Sequence, residues 1–145
     1  MKYNIFRSNP LILISLLFLT MPLISQETEK RPLMRFPDIH GDKVVFVHGE
    51  DIWIASIDGG VAQRLTIHDG EEEFPKFSPD GKLIAFTAQY DGNRDVYVMD
   101  VHGGNISRVT YHPYRDDVVG WHPVKNKIIF RSRRDSYQYY NRLFL

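Results

Sequence analysis

Phe77-Ser78-Pro79-Asp80-Gly81-Lys82-Leu83-Ile84-Ala85-Phe86 joins a tight polar turn to an apolar strand. Ser, Pro, Asp and Gly stand in the order a type I turn prefers, with proline fixing φ at the second position. Gly81 can return the chain through a left-handed conformation without a Cβ penalty. Leu83 to Phe86 do not alternate apolar with polar, as a strand with one wet face would. Such a strand needs a neighbouring sheet on each side.

The same phrase recurs with variations. The runs Val44-Val45-Phe46, Ile84-Ala85-Phe86 and Ile128-Ile129-Phe130 end on Phe residues 40 and 44 positions apart. The central aromatics of Ile52-Trp53-Ile54, Val96-Tyr97-Val98 and Leu143-Phe144-Leu145 are 44 and 47 apart. Asp58-Gly59-Gly60 matches His102-Gly103-Gly104, and Arg64-Leu65-Thr66 matches Arg108-Val109-Thr110, each at 44 residues. In the complete middle copy, strands are expected at Phe74 to Ser78, Lys82 to Ala88, Asp95 to Asp100 and Ile106 to Thr110. The last is the most polar, as an outer edge strand should be. The turn His102-Gly103-Gly104 supplies glycine where φ becomes positive. No stretch after Gln26 carries an apolar pattern of helical period and length.

Four short strands repeated about every 40 to 45 residues define a β-propeller blade. A β-sandwich fits the turn spacing but does not predict turns and aromatics repeating in register. The fold class expected is therefore all-β: four-stranded antiparallel meanders forming an incomplete propeller. The divisions are blade 1 at 36–67, blade 2 at 68–111 and a truncated blade 3 at 112–145. A closed ring takes about four to eight blades, so the expectation is the front portion of a longer protein.

Lys2 and Arg7 precede the apolar run Leu11 to Leu19, and a polar stretch opens at Gln26. That layout is a secretory signal peptide, assigned to 1–26, followed by a linker at 27–35. The apolar run falls short of the roughly 20 residues that span a membrane. The expected location is periplasmic or secreted; the alternative is an anchor formed by an uncleaved N-terminus. The 18 basic and 18 acidic residues balance, which gives no reason to expect a nucleic-acid partner. The absence of Cys excludes disulfides, thiolate metal ligands and a thiol nucleophile.

Pro37-Asp38-Ile39-His40-Gly41-Asp42-Lys43-Val44-Val45-Phe46-Val47, followed by Asp51-Ile52-Trp53, resembles the opening of the tricorn protease family. Phe77 to Lys82 and Arg108-Val109-Thr110-Tyr111 match that family's next blade. The Phe77 to Lys82 element also resembles the propeller of the Tol-system periplasmic protein and, more loosely, those of prolyl oligopeptidase-type enzymes. The tricorn resemblance covers about residues 32 to 145. It implies serine peptidase action on oligopeptides, with propellers that gate or channel substrate and a separate C-terminal region carrying the catalytic Ser and His. The implied partners are a peptide substrate, reached through the longer protein, and the remaining propeller and protease domains. A homo-oligomer of that protein stays open. The signal-like N-terminus departs from the cytosolic habit of the family. The other functional reading is a non-enzymatic, Tol-type periplasmic binding propeller.

Within the chain itself no catalytic, cofactor or metal residue is expected. There is no Gly-x-Ser-x-Gly elbow, and Ser78 reads as a turn cap rather than a nucleophile. His40, His48, His68, His102, His112 and His122 are scattered, with no H-E-x-x-H, and read as structural. Glu71-Glu72-Glu73 reads as a solvated loop, or else as an acidic cluster that steers cationic peptide termini. Arg131, Arg133, Arg134 and Asp135 with Tyr137, Tyr139 and Tyr140 form the longest loop. Basic and aromatic residues so interleaved can bind single-stranded nucleic acid, although an exported neutral chain favours a contact with another domain. Trp53 and Trp121 read as core.

Overall fold

The computed structural model describes residues 33–136 and 140–145. The signal peptide expected at 1–26, most of the linker, and Tyr137 and Tyr139 lie outside the described residues. The eleven described strands lie in the unit Pro32–Leu145. They form three separate antiparallel sheets, and no helix occurs among the described residues.

The first sheet is β1 (Arg35–His40), β2 (Lys43–His48), β3 (Asp51–Ser56) and β4 (Gln63–Arg64), paired in chain order. The second repeats it as β5 (Glu72–Phe77), β6 (Leu83–Ala88), β7 (Asp95–Asp100) and β8 (Ser107–Arg108). The third contains β9 (Asp116–Trp121), β10 (Ile128–Ser132) and β11 (Arg142–Phe144). This is the expected all-β architecture of an unclosed propeller. The expected strand at Ile106 to Thr110 shortens to Ser107–Arg108. Side-chain bonds, described below, take over from the ladder there.

The repeat landmarks are cross-strand partners. Phe46 stands opposite Trp53, Phe86 opposite Tyr97 and Phe130 opposite Phe144. The turn before β6 closes with Gly81 N–H donating to the Ser78 carbonyl at 2.9 Å, and Gly81 has φ +69°. The Ser78 hydroxyl donates to Asp80 Oδ1 at 2.6 Å and accepts from Leu83 N–H at 3.0 Å, tying both ends of the turn.

The middle blade is covered on both faces. Ile84, Phe86 and Ala88 pack with Val45, Val47 and Ile52 of the first blade. Ala85 and Val96 pack with Val118 and Phe130 of the third. Thr87 shares the second seam, its hydroxyl accepting from Val118 N–H at 2.9 Å and donating to the Asp116 carbonyl at 3.4 Å. Alternate residues of one strand thus supply two cores, so β6 reads apolar throughout.

Candidate functional site: the inner-strand rims

The first strands of the three blades, β1, β5 and β9, stand side by side, in the position that faces the axis of a closed propeller. Each bulges opposite its neighbouring strand. In β1 the bulge is Phe36-Pro37 and in β5 it is Phe74-Pro75. Both phenylalanines have φ +53°, strained for a residue with a Cβ, and their rings lie 4.4 Å apart. Proline suits a bulge because it has no N–H to give the ladder.

Beyond these bulges the strands end around an open cleft of about 390 Å³, lined by Asp38, His40, Lys76, Ser78, Gly120 and Trp121 among others. Three contacts bind its walls. Asp38 accepts from Phe77 N–H at 2.9 Å and from Lys76 Nζ at 3.2 Å, joining β1 to β5. Trp121 Nε1–H donates to the Lys76 carbonyl at 2.9 Å, joining β9 to β5. Lys76 and Asp38 neutralise each other, so the cleft offers an ion pair, an imidazole and an indole edge without net charge. That set can exchange hydrogen bonds with a neutral polar group. The Ser78 hydroxyl at this cleft donates to Asp80 Oδ1.

At the opposite ends of the same strands, charges alternate across the blades. Arg94 pairs with Glu71 and, at 3.5 Å, with Glu73; Arg115 pairs with Glu73 at 2.8 Å and with Asp117; Arg131 pairs with Asp117 at 3.0 Å. The reading of Glu71-Glu72-Glu73 as a solvated loop or steering cluster holds for exposed Glu71 and is corrected for the other two. Glu72 and Glu73 lie in β5, and Glu72 is fully buried. Glu72 accepts from Ile52 N–H at 3.0 Å, from the Thr66 hydroxyl and from the Tyr90 hydroxyl. Burial pushes its carboxyl above the ordinary value, with the Thr66 and Tyr90 bonds opposing. Nothing local betrays this, because the partners lie on other strands and loops.

The remaining singled-out residues are mostly at structural work. His68, His112 and His122 each accept through Nδ1 from the backbone N–H two residues on, at 2.9, 3.2 and 3.2 Å. His48 meets Trp53 edge-on at 5.7 Å, and His40 lies 5.9 Å from Phe77. His102 is exposed in its turn. Arg134 pairs with buried Asp116 and lies over Phe130 and Phe144, so with Arg131 on Asp117 two cations of the expected basic loop are already engaged. Trp53 and Trp121 are half-buried, each held by its indole N–H, and Trp121 packs against the core formed by Ala85, Val96, Val118 and Phe130. Among the described residues no group of three or more His, Asp or Glu is placed to hold a metal ion.

The fold and its rims define a β-propeller built from four-stranded blades. The profile of the tricorn protease N-terminal beta propeller domain matches residues 31–145, and the chain belongs to that family. Tricorn protease homolog 1 of Streptomyces coelicolor is 40% identical over 65 residues, covering 45% of this chain and 6% of that protein. The crystal structure of the tricorn protease matches at 27% identity and TM-score 0.63, over 72% of this chain and 11% of the other. TolB from Acinetobacter baumannii matches at 25% identity and TM-score 0.67, over 77% and 29% respectively. The chain thus spans a small part of the length of these relatives. No helix of the described residues is long and apolar enough to cross a membrane.

Proposed function

We propose that this chain is the leading propeller segment of an exported, tricorn-like serine peptidase, and that it admits and positions peptides while the chemistry lies elsewhere in the longer protein. The observation that carries this is the family match across residues 31–145, nearly everything after the signal-like segment. Two further features support it. The cleft at the inner-strand ends presents Asp38, Lys76 and Trp121 to solvent, as an access surface should. Export rests on Lys2, Arg7, Leu11 to Leu19 and the polar exit at Gln26.

The test is peptide cleavage by the full-length product of the gene. It should hydrolyse fluorogenic oligopeptides, whereas residues 27–145 alone should not. Trp121→Ala should raise KM and leave kcat nearly unchanged, because the residue meets substrate before the chemistry. A full-length product with no hydrolase region and no cleavage would sink the peptidase reading. The likeness to TolB favours a second reading, a binding propeller without enzymatic activity, and that outcome would support it.

A further inference from the structure

The two seams between blades carry an acid at the same place, and they neutralise it differently. Glu72 opens β5 and Asp116 opens β9, 44 residues later, and both are fully buried. The backbone sets them identically: Glu72 N–H donates to the Glu50 carbonyl at 3.2 Å, and Asp116 N–H to the Arg94 carbonyl at 2.9 Å. Opposite Asp116 stands Arg134, a cation. Forty-four residues before Arg134, opposite Glu72, stands Tyr90, a neutral hydroxyl. A guanidinium compensates a buried carboxylate in one seam, and only hydrogen bonds do so in the other.

We propose that Glu72 is a proton-responsive fastener of the seam between the first two blades. It is held by Ile52 N–H and Thr66 of the first blade and by Tyr90 of the second, so it bridges the seam directly. The surroundings supply no balancing charge. On β3, Asp51 gives one oxygen to Arg64 at 2.6 Å and keeps the other buried without a partner. Arg64, on β4, is committed to that carboxylate and to the Thr66 carbonyl at 2.9 Å. After β4, His68 lies 3.9 Å from the Tyr90 ring, and Tyr97 of β7 lies 4.7 Å from it. Glu71 and Glu73, on either side, are paired with Arg94 and Arg115.

The direction follows from linkage. Burial raises the Glu72 carboxyl above its ordinary value of 4.5. In an opened seam the carboxyl meets water and ionises normally. Between the ordinary and the raised values, opening therefore releases a proton, and rising pH favours it. The seam is tightest in mild acid and loosens towards neutrality. In the other seam the guanidinium of Arg134 balances the buried acid directly.

Amide hydrogen exchange on the full-length chain tests it, corrected for the intrinsic pH dependence of exchange. Ile52 N–H reports the first seam and Val96 N–H, its counterpart 44 residues on, the second. From pH 4.5 to 7.5 the protection of Ile52 should fall roughly threefold or more, with Val96 unchanged. Glu72→Gln should flatten the Ile52 profile. An Ile52 profile that is flat, or that falls in parallel with Val96 in both proteins, overturns the proposal. Should Glu72→Gln not fold, the side-chain carboxyl titration of Glu72 in the unaltered protein decides. Its midpoint should lie above the ordinary 4.5, and a midpoint at or below that value overturns the proposal.

Discussion

Gly81 shows how much a single position of the repeated turn decides. It holds φ +69°, and a Cβ added there would meet the imidazole of His40 in the neighbouring blade. Gly81→Ala therefore combines left-handed strain with displacement of a side chain at the cleft wall. A loss of about 1 to 2 kcal/mol is expected by urea unfolding, larger than for Gly92→Ala, whose Cβ would meet nothing within 4 Å. Equal losses at the two sites would show that the His40 contact is immaterial. Tyr97 gives a second test, at high pH. Burial, followed by the nearby Asp91 charge, pushes its phenol up to about 12. The folded chain keeps that proton after the unfolded chain has released it near pH 10, so stability should fall as pH rises from 10 to 12. Tyr97→Phe should remove that part of the alkaline loss, on the order of 1 to 2 kcal/mol, in unfolding curves compared at pH 9 and 12.

At the scale of the strands, β4 and β8 are only two residues long, yet each is fixed by the same clasp. Thr110 Oγ1 accepts from Val96 N–H at 2.9 Å, and Arg108 joins Asp95 at 2.7 Å and the Thr110 carbonyl at 2.9 Å. Thr66, Ile52, Arg64 and Asp51 repeat it in the first blade. In β11, Arg142 stands where those blades have aspartate, so the acid of the clasp is missing there. Thr110→Val should cost about 1 to 3 kcal/mol in thermal or urea unfolding, because a buried amide loses its acceptor. Thr110→Ser should restore most of it; no recovery would mean that packing of the methyl group, not the hydroxyl, matters. The Arg64-Leu65-Thr66 repeat was legible in the sequence as a landmark, while its purpose was not, since Asp95 and Val96 are remote from Thr110 along the chain. The strands and their register were legible because Phe46, Phe86 and Phe130 recur opposite Trp53, Tyr97 and Phe144. The bulges leave a usable signal as well, a phenylalanine followed by proline at Phe36-Pro37 and Phe74-Pro75. Burial of Glu72 had none, because three adjacent glutamates look solvated until the next blade is placed against them.

For the whole molecule, the decisive quantity is how much apolar surface the three blades leave open. Among the described residues of the third blade, Val119, Leu143 and Leu145 are 46%, 68% and 61% exposed. The middle-blade counterparts of Leu143 and Leu145 are Val96, which is buried, and Val98, which is half-buried. Blades bury their faces against one another, so an end blade standing alone leaves a face and a strand edge unpaired. Residues 27–145 produced alone should therefore self-associate, with a sedimentation coefficient that rises with concentration. Leu143→Lys places a charge on that face and should lower the association several-fold, while leaving the β-sheet circular dichroism intact. The charge ladder at the other rim should contribute little, because its exposed pairs are screened by salt, so 0.5 M sodium chloride should not dissociate the assembly. A concentration-independent monomer with one sharp cooperative unfolding transition would show that three blades satisfy their own surfaces, and the incomplete-ring account would fall with it.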